Sequence, residues 1–318
     1  MKWRKLGQVF DPAHHALPEG CTRFAQGPQA LVFDDFVRIY FSTRRIEERS
    51  GLPTSHVAFV DLGRDLRTVL RVSDRSVIPL GETGCFDEHG IFPMNVLRHE
   101  GRIYGYTCGW SRRVSVSVDT AIGLAFSDDD GLSFHKVGAG PVLAASLHEP
   151  FLIADPCVQR HGGRFHMWYI FGTAWRPHGP DGTPERVYKI GHAVSQDGVH
   201  WERESGKAIV ADRLGADECQ AMPTVVRLED GYHMLFCYRQ ATDFRTDRDR
   251  SYRIGHAFSG DLVHWVRADE ASDIVVSEQG WDAEMICYPH VFQWHGDVFL
   301  LYNGNAFGRH GFGAAILE

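Results

Sequence analysis

Along most of the chain, apolar and aromatic residues alternate with polar ones in short runs, the two-residue period of half-buried β-strands. Helical periodicity is scarcely visible. One pattern recurs five times: a proline, an apolar strand, a Gly-centred turn, then an aromatic strand. It reads GPQALVFDDFVRIYFSTR, FPMNVLRHEGRIYGYTCGW, DPCVQRHGGRFHMWYIFGTAW, MPTVVRLEDGYHMLFCYRQ and YPHVFQWHGDVFLLYNGN. The prolines are Pro28, Pro93, Pro156, Pro223 and Pro289, in steps of 65, 63, 67 and 66. A second pattern follows in phase, IGLAFSDDDGLSFHKV, IGHAVSQDGVHWERE and IGHAFSGDLVHWVRA, with a looser version at HVAFVDLGRDLRTVL. Strands rich in Val, Ile, Phe, Tyr and Trp, parted by Gly/Asp turns, make four per repeat. The expected fold is therefore all-β: a five-bladed β-propeller with four-stranded blades, one domain over residues 1–318. The repeat is too long for WD40 blades of about 40–45 residues.

The ends of the chain fit this scheme. The fifth repeat stops at GFGAAILE, a third strand, whereas residues 2–9, KWRKLGQV, look like fourth strands such as HWERESGKAIV. The N-terminal strand is expected to complete the last blade beside residues 311–317, hiding an open sheet edge.

Composition narrows the function. A formal charge of −8, from 33 Lys+Arg against 41 Asp+Glu, lacks the basic excess of a general nucleic-acid binder. At 43% hydrophobic residues the chain can fill a core, and no apolar run approaches a membrane span of about 18 residues. The start has no signal-peptide pattern, and seven scattered Cys without a C-x-x-C read as reduced thiols, so a cytoplasmic location is expected. Eighteen His include neither H-x-x-x-H nor H-E-x-x-H, and no metal or other cofactor is expected.

In a propeller, the residues before each first strand and those after each second strand share one mouth. The first set is acidic: Asp87 and Glu88, Glu149 and Asp155, Asp217 and Glu218, Asp282 and Glu284. The second is rich in Arg, Trp and Asn: Arg44 and Arg45, Trp110 with Arg112, Trp175 with Arg176, Arg239, then Asn303, Asn305 and Arg309. Facing carboxylates, aromatic platforms and guanidinium forks suit a sugar ring bearing an anionic group. Asp87, Asp155 and Glu218 are the expected catalytic set: Glu218 as acid, Asp87 as base or nucleophile, and Asp155 orienting substrate or tuning its neighbour. Glu88, Trp110, Glu149, Trp175, Arg176, Arg239, Asp282, Glu284, Asn303 and Asn305 are the expected substrate contacts. Each acid also has a plain alternative, holding loop amides. Asp130, Asp197 and Asp261 read as turn formers, Trp201 and Trp265 as packing between blades, and His192 and His256 as packing residues.

The proline-led inner strands and S-x-D-G-x-x-W turns resemble the five-bladed glycoside hydrolase superfamily of families 43, 32, 62 and 130. FDEHGIFP, EPFLIADPCVQRHGGRFHMWY and GWDAEMICYPHVFQWHGDVFLLYNGNAFGRHGFGAAILE resemble, more narrowly, uncharacterised glycosylase-like proteins of polysaccharide-synthesis loci. The resemblance implies a hydrolase or phosphorylase acting on a carbohydrate or sugar derivative by paired-carboxylate chemistry, on a sugar that is intracellular and anionic or carrier-linked. Family 43 would place its base Asp where this chain has Gln26 and Gly27, and only Asp155 in IADP keeps an Asp-Pro pair. A lyase or transferase on the same scaffold, or a sugar-binding protein without turnover, are the alternatives.

Overall fold

The computed structural model describes residues 1–178 and 182–318. These residues form an all-β chain whose twenty strands pair antiparallel within groups of four, separated by turns and short 3-10 segments. The first group is β2 (Arg23–Val32), β3 (Phe36–Ile46), β4 (Pro53–Gly63) and β5 (Val69–Val72). The second is β6 (Gly90–His99), β7 (Arg102–Arg112), β8 (Val118–Ser127) and β9 (His135–Lys136). A single parallel bridge between Ser55 and Gly90 joins these two. The third holds β10 (Ile153–His161), β11 (Arg164–His178), β12 (Thr183–Ser195) and β13 (Glu202–Arg203). The fourth holds β14 (Glu218–Leu228), β15 (Gly231–Gln240), β16 (Arg253–Ser259) and β17 (Val266–Arg267). In the last group β18 (Cys287–Trp294), β19 (Asp297–Asn303) and β20 (Phe312–Leu317) are followed by β1 (Trp3–Phe10) from the other end of the chain. There Trp3 pairs with Leu317 and Phe10 with Phe312, so a local pattern is completed by long-range pairing.

The first strands approach one another in the order β2, β6, β10, β14, β18 and back to β2. The turns after β8, β12 and β16 dock on the preceding group. Tyr40 donates to the Gly131 carbonyl at 2.7 Å, and Tyr106 to that of Gly198 at 3.0 Å. The aromatic that closes each turn continues the contact. Phe134 packs edge-on to Tyr40, Trp201 to Tyr106 and Trp265 to Trp168, at 5.8, 5.9 and 6.1 Å between centroids. Asp197 and Asp261 each accept two amide N–H groups of their turn, the role expected of them. In the second group Asp129 accepts the Ser133 amide, while Asp130, expected as the turn former, is the next residue and adopts a positive φ of 55°. His192 and His256 bond the rings of His166 and His233 at 3.0 and 2.9 Å, inside the sheets. No helix among the described residues is long and apolar enough to cross a membrane.

Candidate functional site

The five inner prolines mark a shared irregularity. At each one the pairing register between first and second strand slips: around Gly27, Phe92, Asp155, Met222 and Tyr288. Gly27, Asp155, Met222 and Tyr288 have φ of 60°, 52°, 49° and 56°, and Phe92–Pro93 is a cis bond. Left-handed backbone at three non-glycine residues costs about 1–3 kcal/mol each. The bulge it creates re-aims the side chain before the proline. These five positions meet. A Cβ on Gly27 would sit 3.1 Å from the Phe92 ring and 3.2 Å from the Met222 side chain, Phe92 packs edge-on to Tyr288, and the Met222 amide donates to Asp155 at 3.1 Å.

Above this junction lies a cavity of about 360 Å³ lined from every group. Arg44 comes from the first, Phe92, Trp110 and Thr120 from the second, Asp155, Arg186 and Tyr188 from the third, Tyr252 from the fourth and Tyr288 from the fifth. Asp155 is the one carboxylate among its described lining residues. Burial pushes the Asp155 carboxyl up to about 7, opposed by the Met222 amide and by the charge of Arg186. It therefore keeps its proton to a much higher pH than an ordinary carboxyl does. Burial also lowers the pKa of Arg44, as does the like charge of Arg186, and the Arg44 Nε has no hydrogen-bond partner. Among the described residues, neither guanidinium is ion-paired with a carboxylate. With Arg112 as a third lining guanidinium, three cations face one carboxylate and the cavity is net positive.

One wall is braced from behind. The hydroxyls of Tyr188 and Tyr252 are 2.7 Å apart, and Arg239 donates to Tyr188 at 2.9 Å. Arg239 was expected to touch substrate, but it is 1% exposed and does not line the cavity. Its other bonds go to the carbonyls of Gln240 and Ala241, and it lies 3.5 Å from the Phe244 ring centre.

The other expected acids do not join Asp155. Asp87 pairs with Lys136 at 2.5 Å, Glu149 with Arg203 at 2.8 Å, Glu218 with Arg267 at 2.6 Å and Asp282 with Lys5 at 2.6 Å. The four cations lie on β9, β13, β17 and β1, the fourth strand of each group. Each clip ties the segment leading into a group to that group's outer strand. Glu218 also accepts the amides of Arg213 and Leu214, each at 2.8 Å, and the Gln220 amide group at 3.0 Å. Glu149 accepts the Tyr169 hydroxyl at 2.7 Å and the Gly206 amide at 3.1 Å. These buried carboxylates are held against their cations and do not line the cavity, so Glu218 and Asp87, expected as acid and base, are not brought together with Asp155 there.

The remaining expected contacts divide similarly. Trp110 lines the cavity, with Arg112 over its ring. Trp175 does not line the cavity but a neighbouring cleft that shares Val118 and Leu152 with it, and Arg176 pairs with Asp217 at 3.0 Å. Glu88 accepts the Gly84 amide, and Glu284 is exposed. Asn303 accepts the Gly27 amide at 2.9 Å and donates to Ala25 and Gly311, holding the first bulge. Asn305 accepts the amides of Glu284 and Met285. Sequence reasoning missed Arg186, Tyr188, Tyr252 and Tyr288. A usable signal existed for two of them. Y-K-I-G-H-A and Y-R-I-G-H-A put Tyr188 and Tyr252 at one repeat position, where T-A-I-G-L-A has Thr120.

No family model matches the chain. Its full length aligns with the full length of the uncharacterised protein Rv1502 of Mycobacterium tuberculosis at 35% identity. A β-1,2-mannobiose phosphorylase of a Thermoanaerobacter species is 26% identical over 149 residues, 42% of each chain. Among solved structures, a glycoside hydrolase superposes with a TM-score of 0.73 at 16% identity, covering 99% of this chain and 92% of the other. A β-1,2-mannobiose phosphorylase from Listeria innocua, in complex with β-1,2-mannobiose, superposes at 0.67 with 12% identity, covering 98% and 95%. Such likenesses show a common fold.

Proposed function

The chain belongs to the family of the M. tuberculosis protein Rv1502 and has the fold of glycoside hydrolases and phosphorylases, and from that premise we propose that it is a five-bladed propeller enzyme of phosphorolytic type, acting on a glycoside in the central cavity. The observation that supports this is the composition of that cavity: one buried carboxylate among three guanidinium groups, of Arg44, Arg112 and Arg186, none ion-paired with a carboxylate among the described residues. Hydrolysis by paired carboxylates needs a second acid to activate water, and Asp155 is the one carboxylate among the described residues lining the cavity. Phosphate arrives as an anion and needs no base.

In this reading Asp155 gives its proton to the glycosidic oxygen as the bond to the anomeric carbon breaks. Phosphate held on Arg44 and Arg186 bonds to that carbon, releasing a sugar 1-phosphate and an alcohol. The Met222 amide and Arg186 stabilise the Asp155 carboxylate left behind. Planar guanidinium forks match phosphate oxygens in pairs. Trp110 offers a face for the sugar ring.

The test is turnover of β-1,2-mannobiose and aryl mannosides with and without inorganic phosphate, followed by phosphorus NMR. A sugar 1-phosphate should appear with phosphate present. Equal release of free sugar in its absence would sink the phosphorolytic reading.

A further inference from the structure

Past Arg44 and Pro53, which line both spaces, the cavity adjoins a wider groove of about 1110 Å³. Its walls carry Arg23, Arg44, Arg45, Arg49 and Arg309 against Glu19, Glu47 and Glu48. Arg23 and Arg44 are direct cross-strand partners on β2 and β3. Like charges placed opposite each other destabilise a sheet unless an anion lies between them. The acids nearby do not quench them: the Glu47 carboxylate accepts the Ser50 hydroxyl at 2.5 Å, and Arg45 bonds only the Glu19 carbonyl, at 3.2 Å. Among the described residues, Arg23, Arg45, Arg49 and Arg309 form no ion pair. Elsewhere on the surface Arg4, Arg64, Arg102 and Arg176 each pair with a carboxylate. Other arginines, among them Arg71, Arg164 and Arg227, also lack an ion pair among the described residues, but the groove beside the cavity gathers five of them.

Resting on the reading above, we infer that this groove holds the second phosphoryl group of an organic diphosphate whose first phosphoryl group lies on Arg44 and Arg186. The phosphate acting at the anomeric carbon is then one end of a diphosphate ester. A glycosyl diphosphate would lose its bond from carbon to phosphoryl oxygen, and the diphosphate ester would depart with the electron pair. An acceptor hydroxyl oxygen would bond to the same carbon, passing its proton to the Asp155 carboxylate. The reverse reaction is the phosphorolysis described above with an ester in place of inorganic phosphate. The alcohol carried by the ester can be a nucleoside or an isoprenoid.

Calorimetric titration at matched ionic strength tests this with inorganic phosphate and pyrophosphate as probes. Pyrophosphate should bind at least tenfold more tightly than phosphate. The Arg23→Gln/Arg309→Gln double variant should lose that gain and keep its phosphate affinity within twofold. Equal affinities in the unmodified protein, or an unchanged gain in the double variant, would overturn the inference. Arg186→Gln should weaken both probes. If it weakens neither while the double variant still loses the gain, the cavity reading fails and the groove is a separate anion site. Uridine diphosphate and geranyl diphosphate carry the same diphosphate on different alcohols: the gain retained by either supports the inference, and its loss with both overturns it.

Discussion

Lys5, on the first strand of the chain, holds its ammonium 2.6 Å from the buried carboxylate of Asp282, which Tyr302 also reaches at 3.1 Å. The two residues are 277 positions apart, and their contact repeats the clip that Lys136, Arg203 and Arg267 make within other groups. The N-terminal strand therefore replaces a fourth strand in its ion pair as well as in its hydrogen bonds.

Lys5→Met should be strongly destabilising, by about 3 kcal/mol, because it strands a charge that is almost wholly buried. Adding Asp282→Asn to it should recover much of that loss. Denaturant unfolding of both variants measures the difference, and a neutral Lys5→Met would show that Asp282 needs no cation.

Glu218→Gln separates an anchor from an acid. An anchor predicts lowered stability, with the amides of Arg213 and Leu214 and the Arg267 guanidinium poorly satisfied, and only a modest change in turnover by the fraction that folds. A general acid would instead lose about 10²–10⁴-fold in kcat with an unchanged melting temperature.

Asp155→Asn should cost about 10²–10⁴-fold in kcat and leave phosphate affinity nearly intact. In the unmodified protein, kcat/KM should fall as pH rises through about 7, where the acid loses its proton. The same group carries a stability signature. Its folded pKa lies above the ordinary value of about 3.9, so folding is most favourable below that value and weakens as pH rises to about 7. Asp155→Asn should then raise the melting temperature at pH 8 relative to the unmodified protein, with a smaller gain at pH 5.

Acid should act through buried imidazoles in the opposite direction. Burial depresses His192 to about 4, and the neighbouring His166 is lowered too. The stability these rings contribute is present above their ordinary value of about 6.5 and is lost as pH falls toward 4. His192→Leu, which copies Leu124 at the same repeat position, should flatten the loss of melting temperature between pH 6.5 and 4. An unchanged slope would place the acid sensitivity elsewhere.

The strands were legible because their signals are local. Two-residue alternation and Gly/Asp turns each lie within a few neighbouring positions, and the five evenly spaced prolines show that weak signal repeated. The shape of KWRKLGQV likewise announced an outer strand, and it pairs with β20. Spacing from the proline, however, did not reveal which acids would face the cavity. Asp87, Glu149, Glu218 and Asp282 stand five to seven residues before their prolines and Asp155 directly before its own, but only the packed structure supplies the cations that capture the first four. Asp155 escapes capture because it occupies the bulge immediately before its proline, where a left-handed backbone turns the carboxyl toward the junction of all five groups. Arg186, Tyr188 and Tyr252 reach the same space from third-strand hairpins that sequence patterning assigns to ordinary sheet. The strands and their repeat follow from local sequence alone; the direction of each buried charge is decided by partners tens to hundreds of residues away, because a carboxylate removed from water must meet a donor and only the packed fold brings one within reach.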